Sequence, residues 1–286
     1  MPEPSPSAVP DNGSDASSAA AEVPSAAAFL GRARSVLDLV AARNADPVRR
    51  AAGLVADCVA ADGVLQAFGT GHSQAAALEL AGRAGGLVPS NRISLADLVL
   101  RGGDDRDALA DPLLERRPGL AARLYELAGV RAGDLFFIVS SSGVNGAVVD
   151  MALLARERGH RLIALTSLAH TRAVEPRHPS GRRLADLADV VLDNGAPLGD
   201  AVLPMAAGGG PEDGDPGAAQ PPAVCGISSL TSALLVQMVV AEAIGRLVER
   251  GIPAPVYASA NVPGGFERNL LLERRYEGRL HRTAVG

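Results

Sequence analysis

Most of the side chains in this sequence that are placed to bind an anion or move a proton fall in two short runs, Gly69-Thr70-Gly71-His72-Ser73 and Ser140-Ser141-Ser142-Gly143-Val144-Asn145. Each run follows an apolar stretch and precedes a segment of helical periodicity, so it coincides with the first backbone N–H groups of a helix, which have no intrahelical acceptor. Those amides and the positive helix end favour an anion, and glycine lets the backbone come close to it. Capping a helix uses one serine. Three consecutive hydroxyls exceed that need, and with the orphan amides they form a nest suited to the acceptor oxygens of a phosphate monoester. Taken alone, the first run also fits an ordinary turn with a Ser cap. A dinucleotide site fits it less well, because Gln74 stands where the third glycine of G-x-G-x-x-G belongs and no acidic residue follows at the required distance.

Candidates for proton transfer are few. His72 lies inside the first run, and Glu79 follows it by seven residues, which at 3.6 residues per turn returns it to nearly the same helix face. These two are the candidate acid and base, although Arg83 stands four residues after Glu79 and makes a helix-surface ion pair an equal reading. Asp193 and Asn194 end the short run VVLDN and suit contacts to ligand hydroxyls, or begin a turn for local reasons. His170, Glu175 and His178 have no regular metal-ligand spacing and read as a solvated loop. No metal or cofactor is expected.

Positioning these groups requires a frame, and the hydrophobic pattern supplies it. Residues 29–43 and 48–61 have helical periodicity. Val64 to Phe68 is an apolar strand run, followed by a helix from His72 to Ala84. Leu135 to Val139, Arg161 to Leu165 and Val190 to Leu192 are further strands, with a helix from Val144 to Glu157 and a long one from Leu230 to Val248. Apolar strands alternating with helices predict a mainly parallel sheet covered on both faces, a three-layer α/β/α sandwich. Both runs then lie at carboxyl ends of strands and open on the same sheet edge, where ligands of such folds bind.

Composition bounds the partners. The 286 residues carry a net charge of −5 with no basic stripe, which points away from nucleic acid and anionic membranes. All 27 basic residues are arginine, so Schiff-base chemistry and a P-loop lysine are excluded. Cys58 and Cys225 form no CxxC pair, and a reducing, cytoplasmic setting is expected. No basic leader precedes an apolar core, and the stretch Ala233 to Ile244 reads as too short for a bilayer. Residues 1–27, rich in Pro, Ser and Ala, read as a disordered tail ahead of a domain over 28–286, with a flexible loop at about 206–222.

The two runs, with Ala155 to Thr166 (ARERGHRLIALT), resemble the signature segments of sugar isomerase (SIS) domains. Arg83 to Pro89, Asp193 to Asp200 and Asn261 to Gly265 extend the resemblance to a bacterial subgroup of single-domain SIS proteins. It implies a flavodoxin-like sheet and a phosphosugar ligand, with Ser73, Ser140, Ser142 and Asn145 on the phosphate and Ser141 giving its backbone N–H. Asn145 departs from the family's SxSGxT pattern, which has threonine there. The resemblance also places a catalytic glutamate near the first loop's helix, for which Glu79 is the candidate. Three activities remain open: an aldose–ketose sugar-phosphate isomerase, a non-catalytic phosphosugar sensor, and a lyase like the N-acetylmuramic acid phosphate etherases. Leu230 to Val248 is apolar around most of its circumference, and this together with the resemblance predicts a homodimer or a dimer of dimers.

Overall fold

The apolar runs between the glycine-rich turns form the interior of a five-stranded parallel sheet. A computed structural model describes residues 23–111, 113–117, 119–205 and 223–281. The chain opens with helices α1 (Ala26–Arg43) and α2 (Ala45–Ala60), enters strand β1 (Leu65–Gly69), and leaves it through a 3-10 turn into α3 (Gln74–Leu80). Strand β2 (Ser90–Ile93), α4 (Asp97–Leu100) and α5 (Leu120–Leu127) follow. Then come β3 (Leu135–Val139), α6 (Gly146–Glu157), β4 (Arg161–Thr166), α7 (Leu168–Ala173), α8 (Leu184–Leu187) and β5 (Val190–Asp193). A two-stranded antiparallel ribbon, β6 (Ala201–Pro204) and β7 (Ala223–Gly226), leads into α9 (Ser228–Glu249) and α10 (Gly265–Arg274).

The strand order is β2-β1-β3-β4-β5, with every pair parallel. Side chains alternate across it as a two-residue period demands. Leu65, Ala67, Phe137, Val139, Ile163 and Leu165 face α2, α3 and α9, while Phe68, Phe136, Ile138, Leu162 and Ala164 face α5 and α6. The expected three layers are therefore present. Cys58, buried on α2, has its thiol pushed up to about 12 by burial and then by the nearby Asp134 charge.

Several boundaries differ from the sequence reading. Helix α1 begins at Ala26, capped by the Ser25 hydroxyl, so only residues 1–22 of the expected tail and all of 206–222 lie outside the described residues. Helix α3 stops at Leu80 rather than Ala84, because the following backbone pairs elsewhere: the Gly85 N–H donates to Tyr257 O and the Val88 N–H to Pro255 O. Strand β2 was not expected, since Ser90-Asn91-Arg92-Ile93 has no apolar pattern. Asn91 is buried at this edge because it donates to Gln66 Oε1 and accepts from the His281 N–H of the C-terminal segment. At 22 residues α9 is long and apolar enough to cross a bilayer by length and composition, contrary to the estimate from Ala233–Ile244. It packs instead on α1, α2 and α3, burying Leu235, Val236, Val239, Val240, Ala243 and Leu247. Each large aliphatic contributes about 1.5–3 kcal/mol through that burial.

Candidate functional site

Strand order decides where the two runs meet. β1 and β3 are neighbours, yet the helix after β1 packs on one face of the sheet and the helix after β3 on the other. The chain therefore diverges at this pair of strand ends and leaves a crevice, the topological switch point at which doubly wound sheets bind ligands. A cleft of about 340 Å³ lies there. Thr70, Gly71, His72 and Ser73 of the first loop line it, with Ser140, Ser141, Ser142 and Asn145 of the second.

The second loop is fixed by bonds to its surroundings. The Ser140 N–H donates to Leu165 O, extending the β3–β4 ladder, and the Gly143 N–H donates to Ser140 Oγ at 3.1 Å. The carbonyls of Ser141 and Ser142 accept from the hydroxyls of Thr166 and Thr171 at 3.2 and 2.9 Å. Gly143 has φ 65°, and a Cβ there would sit 3.1 Å from Thr166 Oγ1, so the position requires glycine on both counts. Asn145 donates to Glu115 Oε1 at 3.0 Å, which brings a carboxylate from the turn at Leu114–Arg116 into the cleft.

The opposite wall is the start of α9. Ser228, Ser229 and Ser232 line the cleft, together with Gly199, Asp200 and His170. Asp200 Oδ1 accepts from the Ile227 and Ser228 amides at 3.1 and 2.7 Å, and Oδ2 from the Ser228 hydroxyl at 2.8 Å. His170 has a buried Nδ1 with no hydrogen-bond partner among the described residues. Among the described residues the lining includes two carboxylates and two imidazoles but no arginine, so the donors these residues offer an anion are N–H and O–H groups.

An SIS domain model matches residues 28–167. The UPF0309 protein lmo0025 of Listeria monocytogenes is 35% identical over 255 residues, covering 88% of this chain and 97% of that protein. The chain belongs to the UPF0309 family of SIS-domain proteins. A second family member, from Streptomyces avermitilis, is 38% identical over 252 residues, 88% of this chain and 95% of that protein. Among solved structures, the phosphoheptose isomerase GmhA from Neisseria gonorrhoeae is 19% identical, covers 77% of this chain and 96% of that one, and has a TM-score of 0.49.

On this UPF0309 scaffold the expected site residues separate into three groups. Thr70, Gly71, His72, Ser73, Ser140, Ser141, Ser142 and Asn145 converge on the cleft. Gly69 and Gly143 shape the loops without lining it, and a Cβ on Gly69 would meet the Ser73 carbonyl at 2.7 Å. Glu79, Asp193 and Asn194 lie outside it. His72 lies in the 3-10 turn at Gly71–Ser73 and Glu79 near the end of α3, so the α-helical spacing expected between them does not run through. There its carboxylate accepts from Arg83 and, at 2.6 Å, from Gln237 Nε2 on α9. Asp193 Oδ1 accepts from the Leu168 and Gly195 amides, and its backbone N–H and C=O both pair with the Asn44 side chain. Asn194 is fully buried beneath the cleft and donates to Ser141 Oγ and Ser232 Oγ, each at 3.4 Å. Of the three residues read as a solvated loop, His170 instead reaches the cleft from α7, whereas Glu175 and His178 do lie on the non-helical segment after it, where Glu175 is exposed and Asp150 Oδ1 accepts from His178 Nε2 at 2.8 Å.

Glu115, Asp200, His170 and the α9 serines were missed as site residues. Their one sequence signal was Ser228-Ser229 opening a long helix, the arrangement that had marked the other two loops.

Proposed function

We propose that the cleft binds a phosphorylated sugar, with its phosphate on the Ser140–Ser142 loop, and that the protein interconverts the aldose and ketose forms. The observation that carries this reading is the meeting of two hydroxyl-bearing strand-to-helix turns at the β1/β3 switch point. Membership of an SIS-domain family supports a sugar as the rest of the ligand. A phosphate monoester accepts hydrogen bonds in several directions, and the loop offers hydroxyls and amides already held in place.

Isomerisation removes the proton at C2, moves the C2 hydroxyl proton toward the carbonyl oxygen, and returns a proton to C1 through an enediol. It needs a base and an acid in reach of adjacent carbons. Asp200 is committed to three donors at the start of α9. Of the other titratable groups lining the cleft, Glu115, His72 and His170, we assign proton transfer to Glu115 and His72, with Glu115 replacing Glu79 in that role. Incubating the protein in D₂O with aldose phosphates and following C1 and C2 by NMR tests this. Deuterium entering the sugar only with active protein is expected. Ligand-dependent thermal stabilisation without exchange on any aldose or ketose phosphate would leave a phosphosugar-binding protein and reject the isomerase.

Assembly as a homodimer in the cytosol completes the proposal. Leu230 and Val248 on α9 are 46% and 65% exposed, and Leu39 on the adjacent α1 is 46% exposed. A second copy would cover this apolar face. A mass by light scattering near twice 29.1 kDa is expected, and a mass near 29.1 kDa rejects it.

A further inference from the structure

We propose that Asp200 determines specificity: its carboxylate fills the anion position at the start of α9, so the cleft accepts sugars with one phosphate and excludes those with a second anionic group. This rests on the phosphosugar reading above. Helix α9 runs for 22 residues, and its N-cap residue, Ile227, makes no side-chain capping bond. Its first residues, Ser228 and Ser229, line the cleft beside the two hydroxyl-bearing loops, and a helix start attracts negative charge. Such a site would take a second phosphate or a carboxylate.

Asp200 removes that option by occupying it. Its three hydrogen bonds to Ile227 and Ser228 use the donors that a ligand anion would use. Two backbone features place it there. Asp200 itself has φ 72°, in the region that a non-glycine residue rarely adopts. Gly226 opposite has no Cβ, and one built there would lie 2.8 Å from Asp200 Oδ2. With the carboxylate in place, a second ligand anion meets a like charge in addition to an occupied site. Neutral sugar hydroxyls do not, and Ser229 and Ser232 remain along the same wall to meet them.

Affinities of paired ligands decide the matter. A panel of hexose and pentose monophosphates is titrated by calorimetry, each beside its bisphosphate and its phosphorylated aldonic acid. The full-length wild-type protein should bind the monophosphate at least tenfold more tightly than either counterpart. Asp200→Gly, which suits the positive φ and opens the site, should shift that ratio at least tenfold toward the doubly anionic ligand. Asp200→Asn keeps the shape without the charge and should move the ratio in the same direction by less, which covers a failure of the glycine variant to fold. Equal or tighter binding of the bisphosphate by wild type, or an unchanged ratio in both folded variants, would overturn the role of Asp200. No binding of any sugar phosphate would instead reject the phosphosugar reading, and this inference with it.

Discussion

The two loops that flank the cleft carry similar residues and are held in different ways. In the second, the backbone of residues 140–143 is tied to β4, α7 and α8 by the Ser140 amide, the Thr166 and Thr171 hydroxyls, and the Leu184 N–H that donates to Gly143 O. In the first, the Ser73 N–H donates to Thr70 O within the turn, Gln74 reaches Gly71 O at 3.3 Å, and Gly71 and His72 are exposed. A site that must hold a charged group gains most from donors fixed before the ligand arrives, because little ordering entropy is then lost on binding. The second loop has that property. The first is suited to adjusting around the sugar and to bringing His72 up to it.

Replacing the paired glycines puts the sharpest strain on this contrast. Gly143→Ala should cost about 1–3 kcal/mol of stability, since its positive φ and its Cβ contacts with Thr166 and Thr171 both resist the change. For a domain of this size that lowers Tm by roughly 2–4 °C per kcal/mol, and phosphosugar binding should be lost. Gly71→Ala has φ 54° but open space around the new Cβ, so it should cost about 1 kcal/mol and spare most of the affinity. Equal melting shifts in the two variants would erase the distinction between the loops.

Ser142→Ala comes next. No hydrogen bond from the Ser142 side chain supports the loop among those described, so Tm should hold while titration shows affinity falling at least about tenfold, as expected for one charge-assisted bond. Thr171→Val removes the hydroxyl that anchors the Ser142 carbonyl and tests the support instead of the contact. A loss of about 1 kcal/mol in denaturant unfolding is expected, with an affinity change of only a few fold. His72→Asn should lower kcat while leaving KM within about threefold, because on this reading the first loop contributes to the chemistry more than to binding. The smallest effect is expected for Glu79→Gln. Its partly exposed pairing with Arg83 is worth at most about 1 kcal/mol, and turnover should stay at the wild-type level. Loss of turnover in this variant, with Tm unchanged, would return Glu79 to the catalytic role that its position in the sequence suggests.

Local chemistry is what made part of this molecule readable in advance. Strands β1, β3, β4 and β5 are largely apolar runs, and β1, β3 and β4 end in or are followed by glycine or serine, a pattern that predicts both the sheet and the loops above it. Strand β2 escaped because its buried Asn91 is satisfied by Gln66 and the His281 amide, partners 25 and 190 residues away. The same holds for the far wall of the cleft. Asp200 and Glu115 sit on short turns without periodicity, and only tertiary packing carries them to the loops at 70–73 and 140–145. Glu79 shows the converse: helical spacing from His72 suggested a cleft-facing carboxylate, but it could not give the 3-10 turn that holds His72, the short length of α3 or the position of Gln237 on α9.

The register of the central strands has a consequence for how the protein folds. Leu65 pairs with Leu135 and Gly69 with Val139, so the two loops become neighbours only after a long stretch of chain has been closed, a step that opposes rapid folding through lost loop entropy. The cleft exists only once that pairing has formed. A ligand that recognises both loops therefore has nothing to bind in the early, partly collapsed chain. It should slow unfolding in proportion to its affinity while leaving the refolding rate unchanged, which makes the lifetime of the folded protein, more than the speed of its formation, the quantity that a supply of ligand controls.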